Sequence, residues 1–226
     1  MPITEKEPDL SSLKEDIARD GYAFVRGYCS SADALTVANT LGQPLEPWKG
    51  GTVQDLVPRC TSTPNTYSGN YGLGCFPFHT DLAHWRTPPR YLLLRCVTGH
   101  PDVPTLLLDG QYIFDAVTLN ILTRAIFLPR RPRSGTLELL RLYESTSDGY
   151  CFRWDELFLK PASKIGDFAS LRVKEQLDKC DPLRIALTLV GDTLLIDNWR
   201  MLHARPLIPP EYGNRKIQRI YLESLE

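Results

Sequence analysis

Apolar residues change their spacing along this chain, and the change divides it into two parts. Over residues 10–19, Leu10, Leu13 and Ile17 recur at helical intervals, predicting a helix with Ser11 or Ser12 as its cap. Residues 21–27, GYAFVRG, read as a short strand closed by Gly27. Residues 31–41 predict a second helix, stopped by Gly42 and Pro44. Residues 43–70 are rich in Pro, Gly and Thr and predict loop with short strands, a segment suited to folding over a site.

From Tyr71 onward the pattern is that of strands. Residues 91–97 and 105–109 are almost entirely apolar, as expected of strands covered on both faces. Residues 111–128 are helical in tendency, and 169–179 predict a further helix. More strands are predicted at 138–143, 149–154, 185–190, 193–197 and 217–222. Helices first, then many short strands with a helical insertion, predict a mainly-β, jelly-roll type core flanked by an N-terminal helical part.

Length and composition narrow the function. The chain has 226 residues, which suits one domain spanning 1–226. Hydrophobic residues make up 42% and charged residues 23%, with a formal net charge of -1. No stripe of Lys and Arg is present, so neither a nucleic-acid partner nor a basic membrane-binding helix is expected. The first ten residues do not read as a secretory signal, and no run of about 18 apolar residues suggests a membrane span. Six cysteines lie far apart without a C-x-x-C pair. They read as reduced thiols of a cytoplasmic protein, not as a zinc site.

Candidate chemistry gathers around two of the four histidines. His79 and Asp81, in FPFHTDLAHW, are two apart, and on an extended segment residues i and i+2 point to one side. Alone, H-x-D is a weak signal and equally suits a surface loop. His203, in DNWRMLHARP, follows an apolar strand far downstream. Two histidines and one carboxylate on separate strands can occupy one face of an octahedral ion and leave the other open, a set that suits Fe(II). Arg215 and Arg219, four apart in NRKIQRIYLE, share one face of a strand, facing either solvent or an anion inside. Asp197, Asn198 and Arg200 read as shaping the turn before His203. Tyr71 and Cys75 share strand parity with His79 and are candidate pocket walls. His84 and Trp85 read as packing.

FHTDLAHWRTPPRYLLLRC, LIDNWRMLHARP and NRKIQRIYLE, in this order, resemble the three motif regions of the taurine dioxygenase (TauD/TfdA) family of Fe(II)/2-oxoglutarate-dependent oxygenases. The N-terminal GYAFVRGY…ALTVANTLGQPLEP is similar to the family's entry segment. The resemblance implies a double-stranded β-helix (jelly-roll, cupin-like) core with flanking N-terminal and inserted helices. It implies His79, Asp81 and His203 as iron ligands, with 2-oxoglutarate and O2 as co-substrates. It implies Arg215 on the distal carboxylate of 2-oxoglutarate, where a guanidinium fork suits a carboxylate. Thr105 matches the position that helps hold that carboxylate, although GHPDVPT replaces the Gly-Gly pair that usually precedes it. Arg219 matches a position that faces an acidic substrate or sits near the 2-oxoglutarate. The implied reaction is oxidation of a C–H bond of a small, anionic or amino-acid-like molecule. The same ligands would also serve a zinc hydrolase, or a non-catalytic small-molecule-binding module on this fold.

Overall fold

The computed structural model describes residues 9–49, 51–59, 66–130 and 137–226. The parts of the predicted 43–70 loop at 50 and 60–65, Cys60 among them, lie outside these residues. In chain order the elements are α1 (Leu10–Asp20), β1 (Tyr22–Val25), α2 (Ala34–Leu41), β2 (Gly42–Leu45), β3 (Gln54–Leu56), α3 (Tyr67–Tyr71), β4 (Phe76–His79), β5 (Tyr91–Thr98) and β6 (Thr105–Asp109). There follow α4 (Gly110–Ala116), α5 (Leu119–Arg124), β7 (Ile126–Pro129), β8 (Leu140–Arg141), β9 (Tyr143–Thr146), β10 (Gly149–Phe152) and β11 (Leu159–Pro161). The chain ends with α6 (Lys164–Leu177), β12 (Leu183–Ile185), β13 (Thr193–Asp197), β14 (Met201–Arg205) and β15 (Lys216–Leu225).

Two antiparallel sheets make the core. The larger runs β1-β13-β5-β15-β2, with β3 added beside β15, and the smaller runs β12-β6-β14-β4. Strand alternation shows why so many positions are apolar. In β5, Leu92, Leu94 and Cys96 point between the sheets, while Leu93 points outward under α1 and α2. In β13, Leu194 and Ile196 face inward and Leu195 outward; in β15, Ile217 and Tyr221 face inward and Ile220 outward. The smaller sheet is covered likewise: Leu107 and Met201 face the larger sheet, while Leu108 and Leu202 face a third apolar layer with α4, α5 and α6. Each central strand therefore has an apolar layer on both sides.

The local signals explain where the elements begin and end. Asp9, not a serine, caps α1, its carboxylate accepting from Ser12 N at 2.9 Å. The helix ends at Gly21, whose φ of 80° is the left-handed conformation glycine adopts freely. Asp33 caps α2 through Thr36 N at 2.9 Å, so that helix starts three residues later than the pattern predicts. Gly42 does not stop the chain but passes it into β2.

Two expectations are corrected. Residues 111–128 are not one helical run, because the segment breaks between α4 and α5 and then becomes β7. Pairing of β7 with β8 and β11, and burial of Phe127, outweigh the local helical tendency. Residues 185–190 are not one strand either. Only Ile185 stays in β12, because the Asp192 carboxylate accepts from Thr188 N and Leu189 N at 2.8 and 2.9 Å and bends the backbone into a turn. No helix among the described residues is long and apolar enough to cross a membrane.

Arg95, on β5, is buried and ties the N-terminal part to the larger sheet. Its Nη atoms donate to the carbonyls of Tyr28, Cys29, Ala32 and Gly191 and to Thr193 Oγ1, at 2.7–3.2 Å. Replacing it by Met leaves those carbonyls without their donor. Urea denaturation of Arg95→Met is expected to show a loss of roughly 2–4 kcal/mol.

Candidate metal centre

β4 ends on His79, and His203 of β14 pairs with it directly across the smaller sheet. Cross-strand neighbours are forced close, and the two imidazole centroids are 4.2 Å apart. Asp81 lies past the end of β4, in a turn, so strand alternation is not what places it. The reversal is marked by Leu82, a buried residue with a φ of +54°. A left-handed non-glycine residue costs about 1–2 kcal/mol and is kept there by its packing. Asn198 holds Asp81 from the turn between β13 and β14. Its Oδ1 accepts from Asp81 N at 2.7 Å, and its Nδ2 donates to the carbonyls of Asp81 and Pro89 at 3.0 and 2.9 Å. Thr80, between the two candidate ligands, donates from its backbone to Trp154 O at 2.8 Å.

The three side chains converge. His79 Nε2 is 3.6 Å from Asp81 Oδ1, and His203 Nε2 is 3.7 Å from Asp81 Oδ2. All three residues are buried, with one ligand atom from each within 4.8 Å of the others. His79 Nδ1 donates to the carbonyl of Pro77 at 2.9 Å, which fixes the ring with Nε2 facing the site. Burial above all, and then His79, push the His203 pKa down to about 3 against the pull of Asp81. For Asp81, burial is the largest influence and would raise its pKa. Arg219 and the imidazoles outweigh it and hold the group below the usual carboxylate range. Two imidazoles and an ionised carboxylate within this span are a donor set that fits one divalent ion.

The triad sits in a cavity of about 370 Å³. Apolar walls come from Leu92, Leu94, Ile217 and Phe76. Thr105, Arg215, Arg219 and Tyr71 line it as well, so the face shared by Arg215 and Arg219 turns inward. The two arginines differ in what they touch. Arg219 Nη1 donates to both Asp81 oxygens at 3.1 Å, while its Nε and Nη2 donate to Gln54 Oε1 at 3.1 and 2.7 Å. Arg215 is also buried, yet its Nε has no partner and no carboxylate of the described residues pairs with it. Burial, then repulsion from Arg205, push its pKa down to about 10. A cation buried this way is costly until an anion joins it.

Tyr71 reaches the cavity from α3 and not from a strand. Cys75 is exposed and is no part of the wall, which corrects its assignment. The parity argument fails because Gly72, at a φ of +50°, and the Gly74 N to Tyr71 O hydrogen bond of 2.7 Å turn the chain before β4 begins. Asp197 shapes the turn before β14, its Oδ1 accepting from Trp199 N at 3.0 Å, while the Arg200 side chain pairs with Asp109 at 2.5 Å. Trp85 packs in the core between the sheets, as expected.

Three residues at the site escaped the sequence reading. Tyr67 lines the cavity with its hydroxyl donating to Asp155. Arg205 fastens the Gly72 and Gly74 carbonyls to β14 at 3.2 and 3.0 Å, and its position two past His203 on a strand was a usable signal. Gln54 had none, because only the pairing of β3 with β15 brings it to Arg219.

No family model matches the chain. Clavaminate synthase 2 of Streptomyces clavuligerus is 26% identical over 164 residues, 65% of this chain and 49% of that protein. The chain thus spans about half the length of the curated relative it matches. Among solved structures, asparagine oxygenase in complex with Fe(II), hydroxyasparagine and succinate superposes with a TM-score of 0.73 at 20% identity, covering 95% of this chain and 77% of that one. PvcB of Pseudomonas aeruginosa gives 0.69 at 18% identity over 96% and 80%. OrfP in complex with Fe and α-ketoglutaric acid gives 0.69 at 17% over 95% and 80%. The fold is that of these oxygenases.

Asn198 is the side chain that sets Asp81. Asn198→Ala is expected to cost roughly 1–3 kcal/mol in urea denaturation, from the unpaired polar groups it leaves. It should also weaken divalent-metal binding by about 10-fold or more, measured calorimetrically, as loss of a residue that orients a ligand does.

Proposed function

We propose that the chain is a non-haem Fe(II)- and 2-oxoglutarate-dependent dioxygenase, one domain over 1–226 on a double-stranded β-helix (jelly-roll) core. It oxidises, most simply by hydroxylation, a C–H bond of a small amino-acid-like substrate and releases succinate and CO2. One observation carries this reading: a buried His79–Asp81–His203 set shares its cavity with a buried guanidinium, Arg215, that no carboxylate pairs. A hydrolytic ion site would give that guanidinium no task. The similarity to clavaminate synthase 2 and the fold shared with asparagine oxygenase and OrfP support the same assignment.

His79, Asp81 and His203 would hold the iron, which with 2-oxoglutarate and O2 supplies the oxidising power that side chains lack. The protein does the positioning. Arg215, with the Thr105 hydroxyl, grips the distal carboxylate of 2-oxoglutarate, and an ion pair in this dry pocket fixes its register. Leu92, Leu94, Ile217 and Phe76 keep water from the reacting atoms. Arg219 and Tyr71 face the side left for substrate, with Arg219 suited to an anionic group such as an α-carboxylate. That asparagine oxygenase was captured with hydroxyasparagine and OrfP with hydroxy-L-Arg supports an amino-acid-like substrate. The described cysteines are free thiols, in keeping with a cytoplasmic protein.

The test is oxygen uptake and succinate formation by the Fe(II) protein with a panel of free amino acids that includes L-asparagine and L-arginine. Turnover should require both Fe(II) and 2-oxoglutarate, and His79→Ala and His203→Ala should lose it together with iron binding. Product formed under argon would sink the assignment. Arg215→Met should raise the KM for 2-oxoglutarate by about 10- to 100-fold, the worth of one charge-assisted pair, with a smaller effect on kcat.

A further inference from the structure

Arg219 touches both the candidate metal carboxylate and Gln54 of the cavity wall. Its Nη1 spans both oxygens of Asp81. Its other two nitrogens close on Gln54 Oε1 at 3.1 and 2.7 Å. Gln54 opens β3, three residues paired with β15 through Gln54–Arg219, Asp55–Gln218 and Leu56–Ile217. From there the chain runs on as cavity wall through Val57, Pro58 and Arg59. The wall is therefore tied to the metal carboxylate through a single guanidinium. The far side of the tie is incomplete: Gln54 Nε2 is buried with no partner.

Resting on the metal reading above, we propose that Arg219 is a positioning residue that couples metal occupancy at Asp81 to the order of the Gln54–Arg59 wall. Asp81 has one negative charge. A divalent ion on His79, Asp81 and His203 claims that charge and adds positive charge beside the guanidinium. Arg219 then loses its strongest partner, its hold on Gln54 slackens, and the wall loosens. The freed guanidinium and the orphaned Gln54 amide become available together to an anionic substrate group. By linkage, whatever draws Arg219 off Asp81 must tighten metal binding by the same factor. Metal would load first, and the substrate side would become receptive afterwards.

The experiment uses the full chain and Zn(II), a redox-silent ion that accepts His and Asp ligands. Zn(II) affinity is measured by calorimetry and amide hydrogen exchange by mass spectrometry. Saturating Zn(II) is expected to speed exchange over residues 54–57 at least 3-fold in the wild type. Arg219→Gln should bind Zn(II) at least 3-fold more tightly, and its exchange over 54–57 should no longer respond to the ion. Gln54→Ala keeps Arg219 on Asp81 and cuts only the tie to the wall. Its 54–57 amides should exchange fast with or without Zn(II), so the test survives if Arg219→Gln fails to fold. A purely structural Arg219–Asp81 pair predicts exchange over 54–57 that does not respond to Zn(II), and that result overturns the coupling while leaving the metal site standing. A wild-type protein that takes up no Zn(II) overturns both.

Discussion

A buried carboxylate that must stay ionised is the constraint around which this molecule is arranged. Asp81 is held in a turn by the Asn198 side chain and by the left-handed Leu82. Burial by itself would protonate it. Arg219 at 3.1 Å and two imidazoles within 3.7 Å prevent that. Each of these partners is fixed by strand pairing: His79 with His203 across β4 and β14, and Arg219 on the strand that binds β3 to the larger sheet. The pairing that builds the core therefore also assembles the site.

The same arrangement gives the cavity an uneven distribution of charge. Asp81 and Arg219 answer each other, while no carboxylate of the described residues pairs with Arg215. Two arginines four residues apart, one just before β15 and one on it, thus have different surroundings. One is engaged before any ligand arrives, and the other waits for an anion.

Around the site, other polar side chains serve as fasteners. Arg205 fastens the Gly72–Gly74 turn to β14, and Tyr67 fastens α3 to Asp155. Arg153 donates to the carbonyls of Ala83, Trp85 and Arg86, closing the turn that follows Asp81. Arg205 and Arg153 each satisfy several carbonyls at once, which lets irregular backbone lie close to the cavity without leaving its polar groups bare.

Much of the core was legible from the residues, because a strand covered on both faces must be apolar at nearly every position, as β5, β6 and β13 are. The ligand triad was legible as a combination: H-x-D, a distant histidine after an apolar strand, and the paired arginines, strengthened by family resemblance. What escaped depended on partners far along the chain. β7 is a strand because other strands pair with it, and residues 186–190 turn because Asp192 captures their amides. Cys75 fell outside the wall because a glycine turn broke the parity that had placed it. Spacing fixed the common face of Arg215 and Arg219 but not its direction, nor that Gln54 would meet one and nothing would meet the other. Periodicity is a property of the local chain, whereas which charges end up paired is decided only when distant strands are brought side by side.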